Sequence, residues 1–138
     1  MTENISNMTE QQPSDEHQHH VLYVDDDSIN LQLMEGIFCQ RPNILLETTL
    51  DPEVGIEIAQ LKLPDLILLD ISMPVLDGFQ VLEILQKDPR TSAIPVFAVT
   101  ANAMENDVKR GKTAGFIHYL TKPLDVVKLL GHIDDILQ

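Results

Sequence analysis

The sequence predicts an α/β fold, a five-stranded parallel sheet with helices on both faces. Three observations carry that expectation. Short aliphatic runs such as Val21-Leu22-Tyr23-Val24 and Leu66-Ile67-Leu68-Leu69 recur along the chain, and stretches of helical apolar spacing alternate with them. Proline, glycine and aspartate punctuate each change from one to the other. Runs apolar at every position, with no polar alternation, read as strands buried on both faces, as parallel strands are.

Each element follows in order. After the first strand, Ser28 to Gln40 has helical apolar spacing, and Ile44 to Thr48 reads as the second strand. Asp51-Pro52 is an N-cap followed by proline at the first helical position, opening a helix to about Leu61. Pro64 stops the chain before a third strand over 65–70. Asp77-Gly78 turns into a helix from Phe79 to Gln86, which Asp88-Pro89 ends. Pro95 begins a fourth strand running to Thr100, and Gly115 closes a helix near 103–114. A short fifth strand, Ile117 to Leu120, leads through Lys122-Pro123 to a last helix over 125–137.

Composition bounds the function. The 138 residues are enough for one domain with a sizeable core, and 43% of them are hydrophobic. With 22 acidic against 9 basic side chains the net charge is -13, and no basic stripe exists to neutralise a phosphate backbone, so direct nucleic-acid binding is not expected. No apolar run approaches the roughly 18 residues of a spanning helix, and no signal-peptide pattern opens the chain; membrane insertion is not expected and the location expected is cytoplasmic. The lone Cys39 excludes an intrachain disulfide and, inside a helical pattern, is expected to be a buried, inert thiol. Residues 1–20 are polar and acidic and read as a disordered tail, with the folded domain at 21–138. His17, His19 and His20 are assigned to solvent.

The chemistry concentrates at strand ends. Asp70 follows the third apolar run, and Asp25-Asp26-Asp27 follow the first. In an open parallel sheet the reactive crevice lies outside the carboxyl ends of the strands, so these carboxylates converge. Two negative charges about 4 Å apart repel by about 4 kcal/mol at an effective dielectric near 20, so such a cluster needs a cation. The chain offers Lys122 and otherwise asks for a metal. Asp27 fits a helix N-terminal position.

Taken together, Asp25-Asp26, Asp70 followed by Met73-Pro74 and Asp77-Gly78, Thr100-Ala101, and Tyr119-Leu120-Thr121-Lys122-Pro123 make residues 21–138 resemble the CheY-like receiver domains of two-component response regulators. The string over 100–104 is most similar to receivers of hybrid kinases and phosphorelays. The resemblance implies the flavodoxin-like strand order 2-1-3-4-5 and a cis bond before Pro123. It implies Asp70 as the nucleophile that takes a phosphoryl group, Lys122 as the point charge pairing with Asp70 and then with the phosphate, and Thr100 as a hydroxyl donor. Mg²⁺ is the implied cofactor, held by Asp26 and Asp70, by Asp25 directly or through water, and by the backbone carbonyl of Ser72. Thr100 and Tyr119 form the implied switch, acting on the face of the fourth helix, fifth strand and fifth helix. Ser72 and Asn102 are expected to edge the phosphoryl group. Receivers that dimerise for DNA-binding output commonly carry an acidic pair where this chain has Ile117-His118, so that pairing mode is not expected.

The expectation is therefore a stand-alone phosphoacceptor, a signalling switch and not an enzyme. Its donor would be a sensor histidine kinase or histidine phosphotransfer protein, and an unknown downstream protein would read the modified state. An aspartyl-nucleophile phosphatase would need an acid two residues after Asp70, where Ser72 stands. A flavin carrier would need a phosphate loop where three aspartates stand. In the first helix Leu31, Met34 and Phe38 form one apolar stripe, and Ile29 and Leu33 widen it beyond what a core requires. Ile29 and Leu33 are the candidates for docking the donor.

Overall fold

The computed structural model describes residues 19–101 and 105–137, with side chains from 108 onward in the second stretch. The expected part of Asn102 and residues 1–18 lie outside them. The elements are β1 (His19–Val24), α1 (Ser28–Phe38), β2 (Ile44–Thr49), α2 (Pro52–Lys62), β3 (Leu66–Leu69), α3 (Gly78–Lys87), β4 (Val96–Thr100), α4 (Glu105–Ala114), β5 (His118–Thr121) and α5 (Val126–Leu137). The sheet order is β2-β1-β3-β4-β5, with every neighbouring pair parallel. The strand order reverses between β1 and β3, and a crevice opens at that switch point.

β1 begins two residues before the expected start. His19 and His20 pair with Ile44 and Leu45, the His20 amide donates to Asp65 Oδ2 at 2.8 Å, and its ring meets Glu47 at 3.0 Å. These two histidines belong to the sheet and not to the tail assigned to 1–20. The local reason is that Glu47 and Asp65 supply partners that let polar rings extend an apolar strand.

Alternation along the strands builds two cores. Val21 and Tyr23 of β1, Leu66 and Leu68 of β3, and Phe97 and Val99 of β4 face α1 and α5, where Met34, Phe38, Leu129 and Ile133 meet them. The intervening Leu22, Val24, Ile67, Leu69, Val96 and Ala98 face the other way, onto Ile56 and Ala59 of α2 and Val81, Leu82 and Leu85 of α3. Each large aliphatic or aromatic side chain so buried contributes about 1.5–3 kcal/mol relative to exposure. His118 stacks on His132 with ring centroids 3.7 Å apart, tying β5 to α5.

Aspartates cap three helices as their positions suggest. Asp27 accepts from the Ile29 amide, Asp51 from the Glu53 amide, and Asp77 forms a reciprocal capping box with Gln80. Helix α1 ends at Phe38, two residues short of expectation. Cys39 therefore sits in its C-cap and is exposed, which corrects the buried thiol expected there. The inward stripe of Leu31, Met34 and Phe38 is as expected; Cys39, about 100° further round, points away from it.

Gly78 opens α3 directly beneath the end of β3. A Cβ there would lie 2.7 Å from the Asp70 carbonyl oxygen and 2.7 Å from the Ile71 Cα, and the Gly78 amide donates to the Ile71 carbonyl at 3.0 Å. Both clashes are with backbone, so no rotamer change relieves them. Gly78→Ala is expected to destabilise the fold by about 1–3 kcal/mol and to displace the Asp70 segment. Urea denaturation of the variant checks this; an unchanged midpoint would show that α3 can shift freely.

Candidate functional site

Three backbone hydrogen bonds continue the sheet ladder past the strand ends and bring the site together. The Asp25 amide donates to the Thr49 carbonyl at 3.2 Å, the Asp70 amide to the Val24 carbonyl at 2.9 Å, and the Lys122 amide to the Thr100 carbonyl at 2.8 Å. Asp25, Asp26 and Asp70 each present an oxygen within 4.8 Å of the others. Asp25 and Asp70 are buried, while Asp26 is exposed at the mouth. Asp27 stands apart as the α1 cap.

Lys122 supplies the positive charge and pairs with Asp70 as expected, but also with Asp25. Its Nζ lies 2.9 Å from Asp25 Oδ2 and 3.8 Å from Asp70 Oδ2, so its closer partner is Asp25. Asp25 is densely bonded: Oδ2 also accepts from the Tyr23 hydroxyl at 2.6 Å and from Asn30 Nδ2 at 3.1 Å, and Oδ1 accepts from the Asp27 amide at 3.0 Å. Asp70 Oδ1 accepts from the Ser72 amide at 3.2 Å, and the Ser72 and Thr100 hydroxyls are 3.3 Å apart. The bond before Pro123 is cis.

The electrostatics separate the two buried carboxylates. Burial pushes Asp25 up, but hydrogen bonds from Tyr23, Lys122 and the Asp27 amide outweigh it and hold the group below its ordinary value. Burial and then the charge of Asp25 push Asp70 up to about 6, against the opposing pull of Lys122 and the Ser72 amide. Burial, followed by the bond to Asp25, drives the Tyr23 phenol upward, so it remains a proton donor. A hard, oxygen-seeking divalent cation matches this donor set, because it relieves the repulsion and carboxylates are its preferred ligands.

Away from the carboxylates, Tyr119 is half-buried and packs on the α2–α3 side of the sheet. Its ring fills a notch in α4: a Cβ on Gly111 would collide with Tyr119 Cδ2 and Cε2. Helix α4 is clasped to α3 by the Arg110 guanidinium, 3.9 Å above the Phe79 ring, which in turn meets Phe116 edge-on at 5.7 Å. Ile29 and Leu33 of α1 are 63% and 62% exposed. Leu33, Met34 and Ile37 line one wall of a groove of about 620 Å³ whose other side is Pro123, Leu124 and Val126, with Lys122 at its end. Tyr23 and Asn30 were not legible as site residues, since Tyr23 lies in an apolar run and Asn30 in an ordinary helix. The groove's far wall was equally hidden.

Residues 21–134 match the family model described as the response regulator receiver domain. The chain belongs to that family. The receiver is 38% identical over 117 residues to protein PilH of Pseudomonas aeruginosa, covering 85% of this chain and 96% of that one. It is 37% identical to response regulator PleD of Caulobacter vibrioides over 82% of this chain, but spans only 25% of PleD. Among solved structures, the receiver domain of the sensor histidine kinase PA1611 of Pseudomonas aeruginosa, which has a magnesium ion coordinated in its active-site cleft, superposes with a TM-score of 0.78. It is 25% identical, with 86% of this chain and 97% of that one covered. This receiver is thus a phosphoacceptor signalling protein of the two-component type, in a family that binds Mg²⁺ at an acidic cluster and interacts with histidine kinases or phosphotransfer proteins. Among the described residues no helix is long and apolar enough to cross a membrane.

Burying Asp70, and crowding it against Asp25, has a measurable cost. Asp70 holds its proton up to about pH 6 in the folded chain, against an ordinary value of 3.8, so stability falls as pH rises through that window and the penalty is complete above it. In EDTA at pH 7.5, Asp70→Asn is expected to stabilise the receiver by about 1–3 kcal/mol. The gain should shrink as pH drops from 6 towards 4. Thermal denaturation of both proteins across that range is the check; a gain independent of pH would show that charge is not its source.

Proposed function

We propose that Asp70 is the phosphoacceptor of this receiver. The observation that carries the proposal is its position: buried, 3.8 Å from the Lys122 ammonium and grouped with Asp25 and Asp26. A donor phosphohistidine approaches from the mouth. One Asp70 carboxylate oxygen forms the new O–P bond as the N–P bond breaks, and the imidazole nitrogen keeps that electron pair and takes up a proton. Little covalent chemistry falls to the protein, so positioning and charge neutralisation dominate. Lys122 pairs with a phosphoryl oxygen, and Thr100 and Ser72 present hydroxyls beside it. The receiver therefore favours its own modification and is not a conventional enzyme.

Mg²⁺ would be held by Asp26, Asp70 and the Ser72 carbonyl, with Asp25 through its less encumbered Oδ1 or through water. It would supply charge neutralisation at the phosphoryl oxygens. In the modified state Thr100 is drawn to the phosphoryl group and Tyr119 reports the change at the α4–β5–α5 face, where a partner protein reads it. The cytoplasm, where histidine kinases present their phosphohistidine, is the compartment this reading requires.

With Mg²⁺ and acetyl phosphate, mass spectrometry is expected to find one phosphoryl group on the wild type and none on Asp70→Asn. Equal labelling of that variant would refute the acceptor. Lys122→Met should lower the labelling rate at least tenfold.

The donor is proposed to dock on Ile29 and Leu33 and to reach along the groove towards Lys122, a mode that suits an amphipathic helix bundle. Ile29→Glu or Leu33→Glu should slow transfer from a phosphohistidine protein tenfold or more, about 1.4 kcal/mol, while acetyl phosphate labelling and stability stay unchanged. Equal loss with both donors would move the docking surface elsewhere.

A further inference from the structure

We propose that Tyr23 is a positioning residue that releases Lys122: its hydroxyl keeps Asp25 satisfied when the ammonium moves from Asp25 to the phosphoryl group on Asp70. The inference rests on Asp70 being the acceptor. It begins with a count of donors on one atom. Asp25 Oδ2 accepts from Tyr23 at 2.6 Å, Lys122 at 2.9 Å and Asn30 at 3.1 Å. A carboxylate offers about four lone-pair sites over its two oxygens, so three donors on one oxygen exceed its share. One can leave without orphaning a buried charge.

Which donor leaves follows from how each is held. Tyr23 is 1% exposed in the middle of the sheet, and its ring is fixed in the core between α1 and α5. Asn30 is carried by α1, capped by Asp27 just ahead of it. Lys122 stands on a flexible stem at the crevice and has a second carboxylate, Asp70, at 3.8 Å. The ammonium is therefore the mobile donor, and Asp70 its destination.

The phenol decides how readily it goes. A buried carboxylate oxygen stripped to one neutral donor is strongly penalised, and hydrogen bonds to a charged group are the stronger kind. With phenylalanine at 23, Asp25 would keep Lys122 as its principal partner and resist giving it up. With tyrosine, the 2.6 Å bond remains and the exchange leaves Asp25 with two donors on Oδ2. An aliphatic or aromatic residue without a hydroxyl would pack this strand position equally well, so packing alone does not account for the tyrosine.

The test is a double-mutant cycle with Tyr23→Phe, which removes one oxygen from an otherwise unchanged ring, and Lys122→Met, which keeps the stem. Beryllofluoride with Mg²⁺ serves as the phosphoryl mimic, and its affinity is read by titration calorimetry. Tyr23→Phe is expected to weaken binding five- to twentyfold in the wild type and by less than twofold in the Lys122→Met background. In EDTA, without metal or mimic, the two substitutions together should destabilise the receiver by more than their sum in urea, because each donor covers for the loss of the other. Unchanged affinity of Tyr23→Phe, an equal loss in both backgrounds, or additive destabilisation would each overturn the proposal. Binding by Asp70→Asn equal to that of the wild type would instead overturn the acceptor assignment, and this inference with it.

Discussion

Repulsion among Asp25, Asp26 and Asp70 is the constraint around which the rest of this molecule is organised. Left alone, carboxylates within 4.8 Å of one another, two of them buried, would push the ends of β1 and β3 apart. They stay together because the backbone ladder runs on past the strands and because Lys122 arrives from the end of β5. Burial of Asp25 is tolerable only because four donors surround it. Asp70 has fewer partners: burial and then the charge of Asp25 raise its proton affinity, while the donors on Asp25 outweigh burial there and lower it. The same poverty of partners leaves Asp70 open to an incoming group.

The sheet separates two cores whose surrounding helices are held differently. On the α1–α5 side Tyr23, Met34, Phe97, Leu129 and Ile133 make a dense core that reaches the site through the Tyr23 hydroxyl. On the other side α4 is polar through Lys109, Arg110 and Lys112, carries Gly111 where Tyr119 needs room, and is held by the Arg110–Phe79–Phe116 clasp. One half therefore behaves as a frame. On the other, α2 and α3 pack on a core of their own, and only α4 is held through the Arg110–Phe79 contact and the Gly111 notch, which suits the element expected to move.

Much of this was legible in the residues. Aspartates after apolar runs had to converge once the runs were parallel strands, and Asp51-Pro52 and Asp77-Gly78 announced helix starts by their chemistry. Family resemblance carried the strand order and the cis bond. What stayed hidden depended on direction rather than identity. Tyr23 sits among Val and Leu and is as buried as they are; that its oxygen meets Asp25 is visible only with the ring in place. Gly78 and Gly111 look like a turn residue and a weak helix residue until the atoms that fill the missing Cβ positions are known. Cys39 was misread because lying within a helical pattern does not decide which way a residue faces: one residue past Phe38 is about 100° from the inward stripe, and the thiol turns outward. His19 and His20 were misread for the opposite reason, since polar residues extend a strand when Glu47 and Asp65 wait beside it.

The ion pair between Asp25 and Lys122 closes a span of 97 residues. A ribosome delivers the lysine 97 residues after Asp25, so a nascent chain can pair β1 with β2 and β3 yet carry an acidic crevice without its counter-charge. That incomplete sheet has the three carboxylates and lacks the ammonium that pairs with two of them. Closure of the crevice therefore waits for β5 to emerge and pair with β4, because that strand carries the counter-charge in behind it.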